Sequence, residues 1–491
     1  MRTIHRHRRP GALRAAAIGA LALGVLPPFT STPASAATST DTTTDTATDT
    51  TTALDGTWQL DGYGTLLTVH QGVLTSYDTT TVSCLPGYLT ATSSGPPQPG
   101  GALRFTSGPD GLTITPRGPA RAVLKADDAA GIQRLIRIPA LPARCLAPAD
   151  QGPVAVFDRF WATFAENYPF FAAKGIDWPA VRARYRPQVT AATTDAQLQQ
   201  ILTDMIRPLD DAHTALVFQG SPVYFGLRPG TRPATPELRA AAQAAVAQQL
   251  TAPEQQFAQG KLGVGRLPGR IGYLRVGSFD GYVPDGTYQQ QAAELDRALD
   301  VLLGTPGHPQ ELSGLVLDLR LNGGGSDELG LRIAARLTDH PYTAYTKVAR
   351  DCPDDPTRFT PPDRIPVQPA AGTARFLGPV TVLTSGSTVS AGETFTQALM
   401  GRQPAVTRIG ENTQGVFSDV LTRKLSDSWM AVLPNEEYRT RTGRTFDGAG
   451  IPPDLPLATL TDTDLAQHRD PALLLARQVL AGGQSRGGSP N

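Results

Sequence analysis

A serine, a histidine and a run of three glycines stand in surroundings suited to covalent chemistry. Ser390 lies in Thr388-Val389-Ser390-Ala391-Gly392-Glu393, after an apolar run and at the mouth of a helix-patterned stretch. A hydroxyl there sits at the positive end of a helix dipole, and the amide of Ala391 is placed to help hold an oxyanion. The same position also suits an ordinary N-cap serine, so the motif needs partners to become catalytic. A neutral hydroxyl is a poor nucleophile until a nearby base takes its proton. Of seven histidines, His5 and His7 fall in a basic N-terminal stretch, and His70, His308, His340 and His468 have polar or turn-like neighbours. That leaves His213, in Leu209-Asp210-Asp211-Ala212-His213-Thr214, as the candidate base. The glycines close Asp318-Leu319-Arg320-Leu321-Asn322-Gly323-Gly324-Gly325, where close backbone approach and positive φ let amides point at a negative oxygen. A simple strand-to-helix turn reads the same way, and the spacing is not that of a dinucleotide loop.

These residues must be positioned by the elements around them. From Arg270 onward the apolar runs 271–276, 315–319 and 380–383 alternate with helical patterns over 288–303, 328–337 and 391–400. This order predicts an α/β layer core over residues 269–460, with loops at the strand ends forming the site. Ahead of it, Phe157, Phe160, Trp161, Phe164 and Tyr168 recur at helical spacing, and Thr194 and Gln197 form a capping box before a second apolar helix. Residues 151–220 therefore read as a small helical domain carrying His213, its aromatic stripe a core rather than a ligand box. Residues 221–268 read as a helical connector, with a helix starting at Thr235-Pro236. Short alternating runs between Gly, Pro and Ser clusters over 55–150 predict a small all-β domain. Residues 461–491 read as a C-terminal helix and disordered tail.

Residues 1–36 have the basic start, short apolar run and Ala34-Ser35-Ala36 ending of an export signal, so the mature chain is expected to begin near Ala37. The apolar run, about a dozen residues, is shorter than the roughly 20 needed to cross a bilayer, and no later segment reaches that length. Residues 37–54 are a Thr/Asp-rich tether with nothing to bury. The chain carries 44 basic and 44 acidic residues, a balance that argues against nucleic acid as a partner. No Cys/His spacing suggests a zinc site, and no cofactor is expected. Three cysteines in an oxidising compartment predict one disulfide, assigned to Cys84 and Cys145 because they flank the same N-terminal region, with Cys352 left over.

Four motifs in order, Leu-Asp-Asp-Ala-His-Thr, Asp-Leu-Arg-Leu-Asn-Gly-Gly-Gly, Thr-Val-Ser-Ala-Gly-Glu and Gly450-Ile451-Pro452-Pro453-Asp454, resemble those of the C-terminal-processing (tail-specific) and tricorn-type serine peptidases. The resemblance covers about residues 157–454. It implies a ClpP/crotonase-like core, Ser390 as nucleophile, the amides of Gly324 and Ala391 as oxyanion hole, and a peptide or protein substrate. The processing branch has a lysine where this chain has Val416, in Gly410-Glu411-Asn412-Thr413-Gln414-Gly415-Val416; Lys424 lies outside that motif. The tricorn-like branch uses a histidine, matching His213, and a carboxylate matching Asp447, where the family commonly has glutamate. Asp211, Glu436 and Glu437 are the alternatives to Asp447, and the serine that precedes the histidine in tricorn is here Ala212. Residues 217–268 lack the glycine-led carboxylate loop of a peptide-binding PDZ domain, so recognition of free C-termini is not expected, and substrate choice is left to the β domain or to residues 342–373. A ligand-binding protein on the same fold, as in a related retinoid carrier, and a small-molecule esterase or amidase are the competing readings. No segment marks an assembly surface.

Overall fold

The structure, a computed structural model, describes residues 52–482; the expected export signal, nearly all of the tether and the extreme C-terminal tail lie outside the described residues. Alternation over residues 56–138 does form an all-β unit, and it closes. Eight antiparallel strands run in chain order, and the first, Gly56–Leu60, pairs with the last, Gln133–Ile138. Closure leaves no free sheet edge. Inward-facing Trp58, Leu74, Phe105 and Ile114 fill one end and are fully buried. Cys84 and Cys145 are disulfide-bonded, tying the chain that leaves the barrel back to its wall.

The helical unit follows, with helices Pro153–Asn167, Trp178–Tyr185 and Asp195–Ile206. Its stripe packs inward: Phe157, Phe160, Phe164 and Tyr168 are fully buried, and the Trp178 ring lies 5.5 Å from that of Phe164. Thr194 and Gln197 form the reciprocal cap. Just after His213 the chain becomes strand Ala215–Phe218, a central member of a four-stranded sheet ordered Ser221–Phe225, Ala215–Phe218, Trp429–Pro434, Val420–Lys424. Leu216, Ala431 and Leu433 on one face of this sheet join the helical core.

The core is the expected α/β layer. Strands Ile271–Val276, Gly314–Asp318, Val380–Thr384, Thr407–Gly410 and Leu455–Pro456 run parallel, with helices Tyr288–Leu303, Asp327–Ala335 and Ala391–Leu399 between them. The connector differs from expectation. It holds helix Pro236–Ala247, capped by Thr235, but also strand Leu262–Leu267, antiparallel to Ile271–Val276, and strand Gln255–Phe257, antiparallel to Leu262–Leu267, which together extend the main sheet. The run Leu262-Gly263-Val264-Gly265 has no polar positions to alternate with its apolar ones, so its strand pattern is mute in sequence. Residues 342–373 likewise yield strands Tyr342–Ala349 and Asp363–Val367, joined by Glu436–Arg439. Among the described residues no helix is long and apolar enough to cross a membrane.

One buried ion group clamps the end of the central strand. Arg320 is 2% exposed and bonds Asp318 Oδ2 at 2.6 Å and Asp470 Oδ2 at 2.7 Å, so the C-terminal helix Pro471–Gly482 is tied to the strand that leads into the glycine loop. Arg320→Ala strands two buried carboxylates, and urea unfolding is expected to register a loss of about 3–5 kcal/mol.

Candidate active site

Strand Val380–Thr384 ends, the chain turns through residues 385–389, and Ser390 opens helix Ala391–Leu399 with φ 55° and ψ −119°. A residue with a Cβ held there costs on the order of 1–3 kcal/mol and persists only where its surroundings over-determine it. They do so here. The Ser390 amide donates to Val416 O at 3.2 Å and to Glu393 Oε2 at 3.2 Å, while the Ser390 carbonyl accepts from the amides of Glu393 at 2.7 Å and Thr394 at 3.0 Å. Glu393, in the first turn of the helix, reaches back to the Ser390 amide. The Ser390 side chain is therefore presented by a strained strand-to-helix turn, the geometry that exposes a nucleophile.

Asn322 joins the glycine loop to this turn. Its side-chain amide donates to Val276 O at 2.9 Å, its carbonyl accepts from Val389 N at 3.0 Å, and its Oδ1 accepts from Gly324 N at 2.9 Å. Gly324 has φ +91°, and a Cβ on it would stand 2.8 Å from Ser390 Cβ, so this position must be glycine for the two loops to touch. Gly324 lies against Ser390, but its amide, expected to face an oxyanion, is taken by Asn322. Among the described residues, the amides of Gly325 and Ala391 donate to no protein acceptor. Both residues border the serine: Gly325 lines the cavity into which Ser390 opens, and Ala391 follows Ser390 in the chain.

His213 reaches the same cavity, of about 560 Å³, from the other side. A turn with Asp210 in the left-handed region (φ 46°) precedes it. Asp211 then locks the segment, its Oδ1 accepting from His213 N at 2.9 Å and its Oδ2 from Tyr168 OH at 2.8 Å. The imidazole is 4% exposed and its Nδ1 has no partner. Burial lowers its pKa below the ordinary 6.5, opposed by the charges of Asp211 and Asp419, which leaves a neutral ring able to accept a proton at neutral pH. The other histidines among the described residues are exposed.

Asp447 stands apart from the place expected of it. Its Oδ1 accepts from Phe417 N at 3.3 Å, its Oδ2 accepts from the Thr445 hydroxyl, and it does not line the cavity. Burial raises its pKa well above the usual carboxylate value; the Thr445 hydroxyl opposes this, and Asp211 and Glu393 add to it. The shorter side chain is engaged by Thr445 of its own loop and by the Phe417 amide. Of the alternatives, Glu437 pairs with Arg439 and Glu436 accepts from Tyr63 OH and lies 3.3 Å from Lys347. Asp211 adjoins the histidine. Asp419, which sequence reasoning passed over, reaches the cavity while bonding Lys347 at 2.6 Å; nothing in its local sequence marks it. Lys424 pairs with Asp427 and does not border the site. The described residues hold no cluster of side chains suited to a metal ion.

Glu393 is fully buried and accepts from the amides of Gly415 at 2.6 Å and Val416 at 2.9 Å as well as from Ser390. Burial pushes its pKa up to about 7 from 4.5, against the pull of the hydrogen bonds from Thr413, Val416, Gly415 and Ser390. Between those values the folded protein holds a proton that the unfolded chain has released, so stability falls as pH rises through the window. Glu393→Gln cannot titrate and is expected to remove on the order of 3 kcal/mol of that fall. Urea midpoints at pH 4.5 and 8 check this, and equal pH slopes in the two proteins would contradict it.

Residues 270–457 match the family model described as peptidase family S41, and residues 154–207 that of the tricorn protease C1 domain. No curated protein matches the chain. A solved structure of a candidate peptidase from Parabacteroides merdae ATCC 43184 is similar at 26% identity and a TM-score of 0.55, over 67% of this chain and 97% of that one. Mature CPAF complexed with lactacystin is similar in fold at 12% identity and a TM-score of 0.50, over 67% and 97% of the two chains. Tricorn protease aligns with 85% of this chain and 46% of its own, at 14% identity and a TM-score of 0.42. The α/β core over 270–457 is thus a peptidase family S41 domain, and the helical segment before it resembles the tricorn C1 domain.

Proposed function

We propose that the chain is an exported serine peptidase in which Ser390 is the nucleophile and His213 the general base. The observation that carries this reading is the strained turn at Ser390, which opens its side chain on the cavity that also receives His213. In this mechanism neutral His213 takes the Ser390 proton as Oγ attacks a peptide carbonyl, and the oxyanion is received by the unpaired amides of Ala391 and Gly325. Gly324 acts as the close-contact glycine that lets the two loops meet. The imidazolium then protonates the leaving amine, and water, deprotonated by the same ring, hydrolyses the acyl-enzyme. Asp211 supplies the negative charge that stabilises the imidazolium, with Asp447 acting on it at one remove. The export-type leader and the Cys84–Cys145 disulfide support an extracytoplasmic location.

A fluorophosphonate probe on the mature chain is expected to label Ser390, to lose all labelling in Ser390→Ala, and to slow by roughly 10²–10⁴ in His213→Ala. A well-folded wild-type protein that resists the probe would sink the reading. Because burial depresses the His213 pKa, the labelling rate should rise with pH along an acidic limb centred below 6.5 and level off at neutral pH. Asp211→Asn removes a charge that opposes the depression, so it should move that limb to lower pH still.

A further inference from the structure

The β-barrel is filled at one end only. Trp58, Leu74, Phe105 and Ile114 close the far end, while the near end opens into a cavity of about 770 Å³ lined by Leu67, Leu112, Leu124 and Ala126 of the barrel and by Val217 and Met430 of the four-stranded sheet. Eight-stranded barrels are wide enough to admit a guest where side chains leave room. This mouth is aimed at the sheet whose central strand begins two residues after His213.

The sheet connects the two cavities. Ala215 and Val217 are two apart on one strand and therefore share a face. Ala215 pairs with Val432, and Val217 with Met430. Ala215 and Val432 line the Ser390 cavity, whereas Val217 and Met430 line the barrel cavity. On the neighbouring strand, Val420 lines the first and Thr422 the second, again two residues apart. One face across three strands thus runs from the reacting centre to the barrel mouth. The barrel is fixed over this path, with Asp110 Oδ1 accepting from Tyr288 N at 2.7 Å and Asp128 O accepting from Ser326 Oγ at 2.6 Å, all four residues bordering the Ser390 cavity.

The barrel cavity also contains an unmet polar group. Arg423 is 5% exposed; its Nη1 bonds Asp78 Oδ1 at 2.8 Å and its Nη2 bonds Tyr63 O, but its buried Nε–H has no acceptor. With the guanidinium charge balanced by Asp78, the cavity suits an apolar body bearing an uncharged acceptor. An apolar peptide segment, with its main-chain carbonyls, has that chemistry.

We propose that the barrel mouth is a remote subsite of the Ser390 cleft, receiving an apolar side chain of the substrate about four residues from the scissile bond. The spacing follows from the four-residue step along the chain from His213 to Val217, since an extended substrate advances at a similar rise, about 3.3 Å per residue. This subsite rests on the peptidase reading, because it takes the continuation of the same chain that Ser390 attacks.

Two measurements test it. Digestion of a proteome-derived peptide library by the mature protein, read by mass spectrometry, should reveal at least a tenfold preference for apolar over acidic residues about four positions from the cut. Ala126→Trp, which fills the mouth, and Met430→Glu, which charges the shared face, should each reduce that preference to within about twofold. Separately, a dansylated Ala/Leu octapeptide should bind the Ser390→Ala protein at least tenfold more tightly than either variant made in that background, each variant being checked for a wild-type melting transition. Equal octapeptide affinity in a folded variant, or a cleavage profile blind to that position, overturns the subsite. Octapeptide binding that depends on Ala126 and Met430 in a protein that cleaves nothing would instead uphold the cavity and remove the peptidase reading.

Discussion

The buried carboxylate of Glu393 is the constraint around which the rest of the site is arranged. A side chain with no exposed surface must have its oxygens met by protein donors. Three backbone amides do so, from Ser390 behind it and from Gly415 and Val416 across from it. Those bonds hold the loop at 413–416 against the helix that Ser390 opens, and Val416 in turn accepts from the Ser390 amide. The unfavourable backbone angles of the serine are thereby enforced by the neighbours they depend on. Gly450 lies against the same loop, its amide within the turn closed by Phe446, and a Cβ on it would stand 2.0 Å from Thr413 O. The Gly-Ile-Pro-Pro-Asp motif is therefore a backing to this loop rather than a reacting part.

A second layer of support comes from the barrel, whose contacts with the core are ionic and deep. Arg423 reaches Asp78 of the barrel wall, Tyr63 donates to Glu436, and Lys347 bonds both Ala130 O and Asp419. Asp419 then borders the cavity near His213. Burial holds the Asp327 pKa near 6 and that of Glu436 near 7, so the ground beneath the cavity has carboxyls that change charge close to neutral pH. Such groups are costly to bury unless they fix geometry. Here Glu436 ties the barrel to the core through Tyr63, and Asp327 joins Thr394, Tyr345 and Tyr438 beneath the cavity.

Much of this was legible in the primary structure. Ser390, His213 and the three glycines carried their own signals, because a nucleophile at a helix mouth, a single well-placed base and a glycine-rich turn are local patterns. The helix starts at Thr194 and Thr235 are written in capping residues and appear as such. The strands at 262–267 escaped because glycine erases period-two contrast, and closure of the barrel escaped because the pairing of its first and last strands joins residues nearly 80 positions apart, a contact that no local period encodes.

The sequence by itself therefore determined the candidates for nucleophile and base and the loop that must be glycine, since each depends on side-chain type and on its place at the end of an element. Which carboxylate lies nearest in the fold to His213 was decided only by the tertiary structure. Asp447 aligns with the expected position, yet Thr445 of its own loop and the distant Phe417 amide engage it, while Asp211 is held against the His213 backbone amide and by Tyr168. The Gly324 amide was claimed in the same way by Asn322, whereas among the described residues no acceptor takes that of Gly325. Hydrogen-bond partners compete in three dimensions, and the winner depends on distances of a few tenths of an ångström that spacing along a chain does not specify.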